Sequence, residues 1–187
     1  MKLSIILGIL ASCVMLMAAA VKTQNFLRLL SADAPAVEDK EKLMLFGQFV
    51  GSWEFDGVGY NADGSRTTDE GEIHFSWVLQ GRAVQDLWIE RESSDPRPKI
   101  YGSTIRFYDP KTDSWSSTWI EPNYGIVSQF TGRKIGDEIV LEGKDKQGVQ
   151  IHWVFSQIKQ DSFHWRGERL TEGKWRVYEK LDARRML

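Results

Sequence analysis

The chain has 187 residues, of which 42% are hydrophobic and 27% are charged. This composition is typical of a single globular domain and excludes a wholly disordered chain. Lys and Arg number 24 against 26 Asp and Glu, for a net charge of −2. The lack of a basic excess argues against nucleic acid as a partner.

The N-terminus has the features of an export signal. Lys2 is positively charged, Leu3 to Val21 carry no charge, and Ala18 to Ala20 provide small residues for cleavage. A signal peptide over 1–20 is one interpretation. A lipobox ending at Cys13 and an uncleaved membrane anchor are the others. All three export the domain, which is then secreted or periplasmic, or contacts the membrane through this segment alone.

Residues 21–46 are predicted to form a linker and a short helix. Ser31 to Pro35 are small or polar, and the proline can open a helix. Leu43 and Phe46 then follow among charged residues. We predict a helix over roughly 36–49 that packs on the domain after it.

From Gly47 onward the pattern is that of an all-β domain. Fifteen of the sixteen glycines lie there, between short runs rich in aromatic and β-branched residues, which is typical of strands separated by turns. The ten runs predict strands at 50–60, 67–79, 83–91, 100–108, 115–121, 126–134, 139–143, 150–157, 162–169 and 174–183.

The short turns determine how these strands are connected. Neighbouring strands must be antiparallel, because a parallel crossover needs about a dozen residues or more. A long meander tends to close on itself, since closure removes exposed edges. We therefore predict a single antiparallel up-and-down β-barrel of about ten strands over 47–187, wide enough to hold a small molecule.

Several segments resemble a known superfamily. Gly51-Ser52-Trp53 is similar to the Gly-x-Trp opening strand of calycins, the lipocalin-like proteins. Three later segments resemble a bacterial lipocalin-like family of unknown function, namely Gly81–Trp88, Arg106–Pro110 and Trp115–Ile120. The resemblance covers about 43–185 and implies a calycin barrel, with no implied activity. Nitrobindin-like haem barrels have a similar strand count, but no one histidine here can be assigned as their haem ligand.

The resemblance also implies a contact that closes the barrel. In lipocalin-like proteins the motif tryptophan lies at the closed end, beneath an arginine from late in the chain. Trp53 is that tryptophan here, and pairing of the last strand with the first brings Arg184 and Arg185 near it. We expect one of them within about 6 Å of the ring centroid, with Arg176 as the alternative.

Strand alternation selects the candidate ligand contacts. Apolar contact is expected from Trp77, Trp88, Trp119, Trp153 and Trp165, and polar anchoring from Arg106, His152 and Arg166. Either arginine in a cavity could hold a ligand carboxylate by a bidentate contact. Other charges lie within half-buried strands, on the outer face or in the cavity: Glu72, Asp86, Glu168 and Glu179.

These features predict an exported barrel that carries or senses a small apolar or carboxylated molecule, with no catalytic residue, cofactor or metal. One alternative is a calycin-type enzyme, an isomerase, cyclase or lyase, that uses a cavity carboxylate and an arginine as acid and base. A second is a haem-binding barrel. His74, His152 and His164 lie on separate predicted strands and are expected to be structural or exposed. The oligomeric state is left open.

Overall fold

A computed structural model describes residues 28–91 and 99–186 of the chain. The predicted export segment, 1–20, and the predicted turn at 93–98 lie outside the described residues. Within the described part, no helix combines the length and apolar character needed to cross a membrane.

Most of the described chain forms strands. The elements are β1 (Ser31–Ala32), α1 (Lys40–Gly47), β2 (Gly51–Tyr60), β3 (Arg66–Val78), β4 (Ala83–Glu90), β5 (Lys99–Asp109), β6 (Ser114–Glu121), β7 (Ile126–Ile135), β8 (Glu138–Lys144), β9 (Gln150–Ser156), β10 (Ser162–Thr171) and β11 (Lys174–Arg185). A short 3₁₀ helix, Pro122–Tyr124, joins β6 to β7.

Strands β2 to β11 form a closed antiparallel barrel. Each pairs with the next along the chain, and β11 pairs back with β2, where Ala183 lies opposite Phe55. The two residues of β1 pair with the end of β3. The predicted ten-stranded antiparallel barrel is therefore confirmed.

Tight turns connect neighbouring strands of the barrel, as the turn between β10 and β11 illustrates. Between β10 and β11 the two turn residues Glu172 and Gly173 have φ of 52° and 73°, and Thr171 pairs with Lys174 across them. Positive φ at both central positions is the signature of a type I′ turn, whose twist matches that of the flanking strands.

Helix α1 and the residues after it fill one end of the barrel. Phe46 and Phe49 are fully buried, and their ring centroids lie 5.9 and 5.1 Å from that of Phe155. Trp53 and Phe163 complete this aromatic core at 4.8 Å from each other. We call this the closed end.

The helix begins at Lys40, later than the predicted position 36. Asp39 adopts a left-handed conformation, φ 57°, so a continuous α-helix cannot pass through it. Before it, the Ala36 amide donates to the Gly81 carbonyl at 3.0 Å. The segment before the helix is therefore tied to the β3–β4 turn.

Candidate functional site

The end of the barrel opposite α1 contains a cavity of about 470 Å³. In this antiparallel barrel, the last residues of the even-numbered strands β2 to β10 and the first residues of the odd-numbered strands β3 to β11 lie at this end. The lining mixes aromatic rings with acidic side chains. A volume of this order lies within the range of small-molecule sites.

A ring of four tryptophans, Trp88, Trp119, Trp153 and Trp165, lies at the wall of this cavity. Each contacts two others edge to face, with centroid distances of 5.6 to 6.0 Å around the ring. Offset and edge-to-face geometry is the favourable arrangement for aromatic rings. We call this group the tryptophan ring.

The indole N–H groups of the ring differ in their partners. Trp153 donates to the Tyr178 hydroxyl at 2.7 Å, and Trp119 donates to Glu121 Oε2 at 3.3 Å. The buried Nε1 atoms of Trp88 and Trp165 have no hydrogen-bond partner within the described chain. Burying a donor without a partner costs free energy. Such unpaired groups are found in native proteins at functional sites.

Two β-bulges bring tyrosines to the cavity. Tyr101 is the extra residue of β5 opposite β4, and Tyr178 is the extra residue of β11 opposite β10. Both line the cavity, and so does Glu179, the neighbour of Tyr178. Gly167 makes room for the second tyrosine, because a Cβ there would lie 2.3 Å from Tyr178 Cζ.

Four carboxylates from four different strands line the cavity: Asp69, Glu90, Glu121 and Glu179. Burial, with the charges of Asp69, Glu121 and Glu90, raises the pKa of Glu179 to about 7. Burial and then the charge of Glu90 raise the pKa of Asp69 as well.

Glu121 is the most enclosed of these carboxylates, with 4% of its surface exposed. Its Oε1 atom has no hydrogen-bond partner within the described chain. The Tyr101 hydroxyl is its neighbour, and burial and the charge of Glu121 hold the pKa of that phenol well above its usual range.

Basic side chains lie at the cavity wall as well. Arg169 pairs with Asp145 and bonds to Gln147 Oε1, both at 2.9 Å. Lys146, in the turn between β8 and β9, is exposed. The described lining residues include five carboxylates and these two bases, so this part of the wall is acidic.

The predicted tryptophans fall into two groups. Trp88, Trp119, Trp153 and Trp165 line the cavity. Trp77 does not line it; it packs beside α1, where a Cβ on Gly47 would lie 2.3 Å from its ring. The α1 segment occupies the closed end, which is why Trp77 belongs to the core.

The predicted polar anchors lie elsewhere. Arg106 is fully buried in the closed end and bonds to Asp86 at 2.5 Å. Arg166 lies on the outer face of β10 and pairs with Glu138 and Glu168, each at 2.8 Å. Neither arginine is among the described residues that line this cavity, and each has a carboxylate partner of its own.

His152 also lies on the outer face. Its ring stacks on Trp175 with centroids 3.6 Å apart, between Glu142 and Glu168 at 3.8 and 3.7 Å. Position 152 alternates with the inward-facing Trp153, so it points away from the cavity.

None of the three histidines lines the cavity. His74 bonds to Ser52 and Glu72, and His164 pairs with Asp182. The described residues contain no group of three His, Cys, Asp or Glu that could hold a metal ion. A haem in this cavity would therefore lack a histidine ligand from its wall.

The closing contact involves Arg185. Its guanidinium carbon lies 4.1 Å from the Trp53 ring centroid, within the expected distance. Arg184 instead points outward and pairs with Asp56 at 2.6 Å, and Arg176 is exposed beside Glu172 at 3.9 Å.

The raised pKa of Glu179 predicts how stability changes with pH. The folded protein holds this proton more tightly than the unfolded chain, since folding raises the pKa from 4.5 to about 7. Ionisation of Glu179 therefore lowers the free energy of unfolding. This loss is absent below about pH 4.5, grows between the two pKa values and is complete above pH 7, where it is at most about 3 kcal/mol. Urea unfolding should therefore show Glu179→Gln to be more stable than the wild type at alkaline pH and equal to it in acid. The same difference in stability between Glu179→Gln and the wild type at acid and at alkaline pH would contradict this prediction.

The closed antiparallel meander and the Gly-x-Trp strand at the closed end give the chain a lipocalin-like barrel fold. No family model matches the sequence, and no curated protein matches it.

Solved structures share this fold. CPES, an S-type phycobiliprotein lyase from Guillardia theta, is 15% identical with a TM-score of 0.53, covering 82% of this chain and 99% of that chain. Rv2717c from M. tuberculosis is 16% identical with a TM-score of 0.55, covering 78% and 98%. At this identity the likeness establishes the fold alone.

Proposed function

We propose that the protein binds a small, partly apolar molecule in the cavity and acts as its carrier or sensor. The observation that supports this proposal is the cavity of about 470 Å³ beside the tryptophan ring. Apolar walls with a few placed polar groups are typical of ligand sites. The aromatic rings supply contact area, and Glu121 and Glu179 supply polar contacts.

Few basic side chains in the described cavity lining could bind the carboxylated ligand expected from the sequence. Arg106 and Arg166 have partners outside the cavity. Of the two bases in the described lining, Arg169 pairs with Asp145, which leaves Lys146 as the base to meet an anion.

Filling the cavity should abolish binding. Ser128 on β7 lines the cavity and is buried, so Ser128→Phe places a ring in the ligand's space. Gln129→Phe is the matched control, because Gln129 is exposed on the opposite face of the same strand. Native mass spectrometry of protein from its own host should show a bound small molecule in the wild type and in Gln129→Phe, and none in Ser128→Phe. Equal occupancy in all three would contradict the proposal.

A second candidate function is an isomerase, cyclase or lyase. The observation that favours it is Glu179, whose pKa of about 7 suits a general acid or base near neutral pH. Tyr178 and Tyr101 lie at the same cavity as further proton donors. Turnover of a bound molecule that is lost in Glu179→Gln, measured at concentrations that saturate both proteins, would favour the enzyme over the carrier.

We also propose that the barrel is exported, secreted or periplasmic. The support is the predicted segment 1–20, with its charged start, uncharged run and small residues. N-terminal sequencing of protein from its host should give a start near Val21. A start at Met1 would favour the membrane anchor, and a lipidated Cys13 the lipoprotein.

A further inference from the structure

Among the described residues of the cavity wall, acidic side chains outnumber basic ones. Asp69, Glu90, Glu121 and Glu179 come from β3, β4, β6 and β11 and converge on one space. Burial, and after it the repulsion between these carboxylates, raises the pKa of Glu179 and of Asp69. Like charges brought together in a partly buried space are costly, and a positive ligand group would relieve that cost.

Glu121 differs from the other three carboxylates in how completely it is buried. With 4% of its surface exposed, it is enclosed by protein at the cavity wall. One of its oxygens, Oε1, has no hydrogen-bond partner within the described chain, while the other accepts from Trp119. A buried carboxylate is normally balanced by hydrogen-bond donors or by a positive charge, so Glu121 attracts a positively charged ligand group in the cavity beside it.

The tryptophan ring adds a third feature. Indole faces carry negative charge density and attract cations within about 6 Å, more strongly than the rings of Phe or Tyr. Trp119 links the two features, because its N–H bonds to Glu121 while its ring packs against Trp88 and Trp153.

We infer that the ligand is an organic cation, a protonated amine carried on an aromatic or apolar body, with its nitrogen at Glu121 and its body against the tryptophan ring. This inference rests on the proposed binding function and names its ligand class. The amine lies in the cavity beside the Glu121 carboxylate, and the surrounding carboxylates balance its charge.

The ionisation of Glu179 makes binding depend on pH. The described charged and titratable groups around Glu179 include Asp69, Glu90, Tyr101, Glu121 and Tyr178. Asp145, Lys146 and Arg169 line the same cavity. A cation favours the ionised carboxylate, so its affinity should rise by up to about tenfold between about pH 6 and about pH 8. A neutral ligand of the same shape should show no such rise.

The test uses three probes that share one aromatic body. Naphthylmethylamine, naphthylmethanol and naphthoic acid are cationic, neutral and anionic at neutral pH, and calorimetry with tryptophan fluorescence measures their binding to the full chain. The amine should bind at least about tenfold more tightly than the alcohol, and Glu121→Gln should remove that preference. Glu142→Gln is the control, since Glu142 is an exposed carboxylate of β8.

Each outcome has a distinct meaning. Preference for the amine in the wild type and in Glu142→Gln, lost in Glu121→Gln, supports the inference. Equal or tighter binding of the alcohol or the acid overturns it and leaves the binding function standing. No binding of any probe by folded protein counts against the binding function itself, and against the inference with it. Circular dichroism and thermal melting establish that each variant is folded.

Discussion

Replacing Asp86 by alanine should destabilise the protein by about 3–5 kcal/mol, the usual cost of leaving a buried charge without its partner. Asp86 and Arg106 are both fully buried and joined at 2.5 Å. The other oxygen of Asp86 accepts from the Thr104 amide at 2.8 Å. Without Asp86 the guanidinium would remain enclosed by three aromatic rings, those of Phe46, Phe75 and Phe155, at 5.1 to 5.9 Å.

Urea unfolding of two further variants separates the charge from the packing. Asp86→Leu combined with Arg106→Met removes both charges and should recover most of the loss, because an apolar pair can replace a buried ion pair. Glu138→Ala breaks a more exposed pair with Arg166 at 2.8 Å and should cost less than about 1 kcal/mol. A loss in Asp86→Ala no larger than that in Glu138→Ala would show that the buried pair is not a stability determinant.

Replacing Arg185 by alanine should lower the free energy of unfolding by about 2–3 kcal/mol, since its charged hydrogen bonds and its cation–π contact are lost together. The guanidinium donates to the carbonyls of Gln48, Val50 and Gln160 at 3.0, 2.9 and 2.7 Å. It also lies over Trp53 at 4.1 Å. One side chain thus joins the segment after α1, the first barrel strand and the turn before β10.

The adjacent arginine is the matched control for this prediction. Arg184 lies on the outer face and pairs with Glu54 and Asp56 at 3.4 and 2.6 Å, and exposed pairs of this kind contribute little. Chemical denaturation should place Arg184→Ala close to the wild type and Arg185→Lys between the wild type and Arg185→Ala, because lysine keeps the charge but not the planar fork. Equal losses in the two alanine variants would contradict a closing role for Arg185.

The strands could be predicted because their signals are local. The predicted strand at 115–121 corresponds to β6, Ser114–Glu121, and the predicted strand at 150–157 to β9, Gln150–Ser156. Period-2 alternation and turn residues act between neighbours in sequence. The same alternation extends from Trp119 to Glu121 on β6, so Glu121 could have been added to the candidate site.

Other parts of the site could not be predicted in this way. Tyr101 and Tyr178 reach the cavity through bulges, and a bulge breaks the alternation on which face assignment depends. Glu179 was identified as a charge within a strand, but its position beside Asp69, Glu90 and Glu121 depends on β3, β4 and β6, which are distant in sequence from β11.

The order of hydrophobic and turn residues was enough to specify an antiparallel barrel with an aromatic face, because both signals depend on near neighbours along the chain. Which end of that barrel is filled depended on long-range packing, since Phe46 and Phe49 follow α1 into the closed end. That packing encloses Arg106 with Asp86. Arg166 lies on the outer face of the barrel with Glu138. The lining of the cavity at the other end therefore includes neither of these two arginines. The physical reasons differ: a buried guanidinium needs a partner, which Asp86 provides for Arg106, whereas Arg166 alternates with the inward-facing Trp165 and so lies on the outer face.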